Sequence, residues 1–174
     1  MGVISMQLYN EMMYTVREME QIARLFNIEP FPVYFMGGSA CLLGRYTERA
    51  TKDFDFVDLD YSARLGKVFA HLRDYDILEY QSTAISPKYK ERALQLPEFG
   101  YLQIFVLSRE DIIVSKIIRL ASKDVEDIDQ LIKNSDIDLI NKIIDEVIER
   151  TDLFQSKKDA FINKLNIFRE RYHV

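Results

Sequence analysis

The sequence has no tryptophan, one cysteine (Cys41), two histidines, four prolines and six glycines. One thiol cannot close an internal disulfide, so an ordinary apolar core must hold the fold, in keeping with a reducing cytoplasm. Cys41 reads as a small buried apolar residue. His71 and His173 are too far apart in sequence to form a metal-ligand pattern. No segment approaches the roughly 20 apolar residues that cross a bilayer. The start, Met1-Gly2-Val3-Ile4-Ser5-Met6, lacks the basic and long apolar parts of a secretory signal, and Met6 stands where a myristoylation motif needs Ser or Thr. These absences point away from export and from a membrane, and towards the cytoplasm. Positive charge is also short. Lys and Arg total 23 against 28 Asp and Glu, for a net charge of -5, which argues against a broad, sequence-independent grip on nucleic acid. Arg45, Arg49 and Lys52, and farther on Lys88, Lys90 and Arg92, could form local basic rims, although such charges are usually solvated surface.

What is present suits one soluble domain of 174 residues, 48% hydrophobic and 29% charged. Apolar residues at Tyr9, Met12, Met13, Val16, Met19, Ala23 and Phe26 follow helical spacing, ended by Asn27, Pro30 and Pro32. Val33 to Met36 reads as a strand, Ser39 to Leu43 as a short helix closed by Gly44, and Gly37-Gly38 as the tight turn between them. Asp53-Phe54-Asp55-Phe56-Val57 alternates and reads as a strand with rings on one face and carboxylates on the other. A helix is expected over about 62 to 73 and a strand from Ile77 to Tyr80. Arg92–Leu96 and Tyr101–Leu107 form a hairpin around Pro97-Glu98-Phe99-Gly100. Beyond Leu107 the pattern turns helical, with a capping-box start at Ser108 and Asp111 and later starts at Asp124, Asp136 and Ser156. The expectation is an α+β domain: a mixed sheet flanked by helices over about 1–107, and a helical region over about 108–174 packed on it.

Residues two apart on a strand share a face at roughly 6.5 to 7 Å, so Asp53 and Asp55 form a pair of hard oxygen ligands suited to Mg²⁺. Taken alone, such a pair favours the reading as an exposed acidic face on an antiparallel strand. Likewise Gly37-Gly38 reads alone as an ordinary turn, but glycines also let a backbone approach phosphate, and Ser39 adds a hydroxyl. Their order is the informative feature: strand, Gly-Gly-Ser, helix, and then the acidic strand, with Ser39 fourteen positions before Asp53.

That order resembles the DNA-polymerase-β-like nucleotidyltransferases, and within them small bacterial members related to the AbiEii abortive-infection toxins. The resemblance covers about residues 33 to 132. It is carried by Met36-Gly37-Gly38-Ser39-Ala40-Cys41-Leu42-Leu43, by Thr51-Lys52-Asp53-Phe54-Asp55, and by Lys116, Arg119, Asp124 and Asp127. It implies that Asp53 and Asp55 are catalytic and bind Mg²⁺ or Mn²⁺. It implies that Gly37, Gly38 and Ser39 hold a nucleoside triphosphate and that Lys116 neutralises phosphate charge. The acceptor would be a hydroxyl of RNA or protein, and a cognate toxin or antitoxin would be a partner. Active members carry a third carboxylate on a later strand. There the strand from Tyr101 to Val106 offers Gln103, a neutral amide, leaving Glu98 or Asp111 to be brought in by folding. Two functions follow: nucleotidyl transfer, or nucleotide or partner binding by a catalytically degenerate site.

Overall fold

The computed structural model describes residues 2–49 and 51–174. They form two compact units: Met1–Leu78 with Ala93–Val106, and Glu79–Arg92 with Leu107–Val174. The strands lie in the first. No helix among the described residues is long and apolar enough to cross a membrane.

In the first unit, helix α1 (Val3–Leu25) buries Tyr9, Met12, Met13, Val16, Met19 and Ala23, as their spacing predicts. Phe26 ends the helix and is exposed. Strand β1 (Pro32–Met36) leads directly into helix α2 (Gly37–Leu43), closed by Gly44. Helical hydrogen bonding therefore begins at the glycines, although the φ of 60° at Gly37 still makes the sharp turn. Strand β2 (Phe54–Val57) follows. The helix expected over 62–73 is broken into 3-10 turns at Ala63–Leu65 and Ala70–Leu72 around helix α3 (Gly66–Phe69). Strand β3 is Tyr75–Leu78, two residues earlier than its apolar pattern suggests. In the second unit, helix α4 (Tyr89–Arg92) lies in the 79–92 segment. The first unit then resumes with the expected hairpin, strands β4 (Leu94–Gln95) and β5 (Gln103–Val106).

The sheet order is β3-β2-β1-β5-β4. β1 pairs antiparallel with β2 and parallel with β5, β2 pairs parallel with β3, and β4 pairs antiparallel with β5. One face carries the aromatic core. Phe35, Phe54, Phe56, Phe69, Tyr61 and Tyr75 meet in edge, tilted and stacked contacts, and Phe56 is wholly buried with Phe54 only 3% exposed. Burying each such ring contributes roughly 1.5 to 3 kcal/mol, and strict alternation along β2 then turns its carboxylates to the opposite face. Helices α1, α2 and α3 pack together over this unit.

The second unit is helical apart from its turns. Helix α5 (Arg109–Ile117) starts at Ser108, whose Oγ accepts the Asp111 N–H at 3.1 Å and donates to Asp111 Oδ2 at 2.7 Å. Helix α6 (Ser122–Leu131) starts two residues before Asp124, because that carboxylate reaches back to accept the Ala121 N–H at 2.9 Å. Helix α7 (Ile137–Glu149) is capped by Asp136 as expected and buries Ile140, Ile143, Ile144 and Val147. Helix α8 (Gln155–Tyr172) buries Phe161, Leu165 and Phe168. The Arg150 guanidinium is buried beneath the 80–85 segment, donating to the carbonyls of Tyr80, Thr83 and Ile85.

Candidate active site

The acidic strand and the glycine turn meet in the first unit. Met36, the last residue of β1, pairs with Asp55, so the turn that follows Met36 falls beside the Asp55 carboxylate. The fit is close: a Cβ on Gly37 would lie 2.6 Å from Asp55 Oδ2. A Cβ on Gly38 would lie 3.3 Å from the Thr51 side chain, on the segment leading into β2. The backbone of the turn and the acid are thus packed without any intervening side chain.

Ser39 is 0% exposed. Its Oγ accepts the Asp55 N–H at 3.1 Å and donates to the Met36 carbonyl at 2.8 Å, with the Asp55 carbonyl at 3.3 Å. The hydroxyl therefore ties the start of α2 to the backbone of Asp55 itself, and fixes the acid rather than reaching into solvent.

Asp53 is exposed and lies just ahead of β2, and Asp55 is half-buried within it. The neighbouring strand adds an acid that the sequence reading missed. Asp76 pairs in register with Asp55 across the parallel β2–β3 ladder, and paired residues on adjacent strands project to the same face about 4.8 Å apart. The signal was present in Tyr75-Asp76-Ile77, which repeats the apolar, acid, apolar pattern of Phe54-Asp55-Phe56. Starting the strand at Ile77 concealed it.

Gln103 has to be corrected as the stand-in for a third carboxylate. It pairs with Pro32, four residues before Met36 on β1, which is roughly 13 Å along the strand from the acidic end. It also lies on β5, separated from β2 by the whole of β1. Glu98 is in the turn at that same far end, since Leu96 donates to Ile104. Asp111 is in the second unit, fully buried, and held bidentately by Arg92 at 2.8 and 2.9 Å.

Among the described residues no group of three or more His, Cys, Asp or Glu side chains is placed to hold a metal ion. Asp55 and Asp76 are paired on neighbouring strands, with Asp53 just ahead of β2. That donor set fits Mg²⁺, which prefers hard oxygen ligands, keeps several waters and is commonly bound by one or two carboxylates with substrate phosphates.

The later motif residues gather in the second unit. Lys116 Nζ stands 2.8 Å from Asp127 Oδ2 and 3.5 Å from Asp124 Oδ1, and Arg119 grips Asp124 at 2.6 and 2.7 Å. Lys116, Asp124 and Asp127 are 8%, 1% and 1% exposed. Burial alone would raise the Asp124 carboxyl, but the hydrogen bonds from Arg119 and Ala121 and the charges of Lys116 and Arg119 outweigh it and hold the group below its ordinary range. Two cations and two carboxylates form one network that joins α5 to α6. Of the basic rims, Arg45 stacks over the Tyr9 ring at 4.5 Å and Arg92 is engaged by Asp111, while Lys52 is exposed.

A family model described as a nucleotidyltransferase of unknown function (DUF6036) matches residues 10–173 of the chain. No match was found among curated proteins or among solved structures.

Proposed function

The chain belongs to this nucleotidyltransferase family of unknown function, and from that premise we propose that the first unit transfers a nucleoside monophosphate from a nucleoside triphosphate to an acceptor hydroxyl. The carrying observation is the register that sets Asp76 beside Asp55, with Gly37 packed against the Asp55 carboxylate.

Asp53, Asp55 and Asp76 would hold Mg²⁺ or Mn²⁺. Bound there, the cation would offset the negative charge of the triphosphate and of the departing pyrophosphate. The side-chain-free Gly37-Gly38 backbone leaves room for phosphate oxygens beside the acids. The acceptor oxygen attacks the α-phosphorus, the bond from that phosphorus to the bridging oxygen of the β-phosphate breaks, and pyrophosphate leaves. Asp76, exposed at the sheet edge, takes the hydroxyl proton. Ser39 acts by positioning Asp55. Lys116, compensated by Asp124 and Asp127, serves to join two helices. The finer likeness to the AbiEii toxins is carried by Gly37-Gly38-Ser39, by Asp53-Phe54-Asp55 and by Lys116, Arg119, Asp124 and Asp127, and a cognate toxin or antitoxin would be the partner of such a protein.

Calorimetry of Mg²⁺ and ATP or GTP tests the site. Asp76→Asn should weaken metal-dependent binding by on the order of tenfold or more, which is about 1.4 kcal/mol, whereas Gln103→Ala should leave it unchanged. Removing one of several neighbouring carboxylates relieves repulsion in the ligand-free protein, so its melting temperature should hold or rise. Undiminished binding by Asp76→Asn would sink the assignment.

A further inference from the structure

The glycine turn has a second hydroxyl beside it. We propose that Thr51, rather than Ser39, supplies the side-chain hydroxyl that binds the phosphates of the nucleoside triphosphate. This rests on the nucleotidyl-transfer reading above and adds a binding residue to that site.

Position is the first argument. A Cβ on Gly38 would lie 3.3 Å from each of Thr51 Cβ, Cγ2 and Oγ1. Since a Cβ stands about 1.5 Å from its Cα, Thr51 Oγ1 is within about 4.8 Å of Gly38 Cα. That is inside the roughly 5.6 Å spanned by two hydrogen bonds to one shared oxygen, so a phosphate resting on the turn has the hydroxyl within reach. Thr51 also precedes Asp53 by two residues, which limits their separation along the chain to about 7 Å. Successive glycines of one turn therefore pack on a carboxylate and on a hydroxyl: Gly37 on Asp55, and Gly38 on Thr51.

Availability is the second. Ser39, Thr47 and Thr51 are the Ser and Thr residues between β1 and β2. Ser39 is fully buried and bonded to the backbone of Met36 and Asp55. Thr47 is 5% exposed, with its Oγ1 enclosed by the fold. Thr51 is half-buried, and its hydroxyl makes no hydrogen bond among the described residues. It keeps a donor to offer a ligand.

Chemistry is the third. A hydroxyl donates to phosphate oxygens and carries no charge, so it does not compete with Mg²⁺ for the neighbouring carboxylates. Threonine is branched at Cβ and stiff at χ1, and its side chain is packed on Gly38 before any ligand arrives. Such preorganisation lowers the ordering cost of binding. Phosphate is common to every nucleotide, so the contact strengthens ATP and GTP binding alike and carries no base preference.

Titration calorimetry of the whole protein with Mg²⁺ and ATP, GTP or inorganic tripolyphosphate tests this in the wild type, Thr51→Val and Thr51→Ser. Thr51→Val keeps the shape and removes the hydroxyl, so affinity for all three probes should fall about tenfold, 1.4 kcal/mol by the standard conversion. Thr51→Ser keeps the hydroxyl and should recover most of that loss. The ligand-free melting temperature of Thr51→Val should hold or rise, because the lost hydroxyl has no bond within the described fold. A structural hydroxyl would lower it, as is expected of Ser39→Ala. Three results overturn the inference and leave the nucleotidyl-transfer reading standing: undiminished binding by Thr51→Val, a loss confined to ATP and GTP with tripolyphosphate unaffected, or a loss accompanied by a fall in melting temperature. Wild-type protein that binds none of the three probes with Mg²⁺ overturns both.

Discussion

Replacing Gly37 by Ala perturbs the fold and the Asp55 carboxylate through one methyl group. Gly37 has φ of 60°, a left-handed conformation that costs an L-residue about 1 to 2 kcal/mol. The new Cβ would start 2.6 Å from Asp55 Oδ2, against 3.4 Å for the beginning of ordinary contact, so the carboxylate must yield by about 0.8 Å. The lower melting temperature follows from the backbone: at roughly 2 to 4 °C per kcal/mol for a chain of this size, the fall should be about 2 to 8 °C. The loss of metal-dependent nucleotide binding follows from the displaced acid, because Mg²⁺ demands near-ideal ligand geometry at about 2.0 to 2.1 Å; tenfold or more is expected. Gly66→Ala is the control. Nothing lies within 4 Å of its added Cβ and it opens α3 with an ordinary φ, so it should hold or gain about 0.4 to 1 kcal/mol with nucleotide affinity unchanged. Calorimetric melting and titration of both variants decide the matter. If Gly37→Ala melts with Gly66→Ala and binds Mg²⁺–ATP or Mg²⁺–GTP like the wild type, the close packing of turn against acid has been misread.

Lys116→Met should cost about 1.5 to 3 kcal/mol in chemical denaturation, because it takes a cation from the buried Asp127 carboxylate and leaves Asp124 to Arg119 and the Ala121 N–H; an unchanged denaturation midpoint accompanied by lost nucleotide affinity would return Lys116 to a phosphate-binding role. Ser39→Ala removes the acceptor of the Asp55 N–H and should destabilise by about 1 to 3 kcal/mol, with Ser39→Thr tested beside it to separate loss of the hydroxyl from loss of volume. Asp124 titrates lower in the folded protein than in the unfolded chain, so its contribution is fully present above roughly pH 4 and is lost as pH falls through the depressed value. Thermal melts taken downward from about pH 5 should therefore lose less stability in Asp124→Asn than in the wild type, and equal acid sensitivity would contradict that account.

Much of the local structure was determined by the sequence itself. Alternation in Phe54-Asp55-Phe56 assigned rings and carboxylates to opposite faces, helical spacing named the buried side of α1, and Ser108 with Asp111 and Asp136 marked helix starts where the chain forms them. These features depend on neighbours within a turn of helix or along one strand, so a short stretch of sequence carries them whole. Pairing between strands does not have that property. Asp55 and Asp76 are twenty-one residues apart, and Phe54, Phe56 and Tyr75 packing as one aromatic layer sets the register that joins the two acids. The parallel ladder of β1 and β5 likewise assigned Gln103 to Pro32 rather than to the acidic end. The partners of Lys116 and Ser39 lay outside the sequence for a related reason: a side chain meets what folding leaves within reach, and burial gave one two carboxylates and the other the backbone of Asp55. Sequence periodicity chose the faces; long-range packing and hydrogen bonding chose which residues met on them.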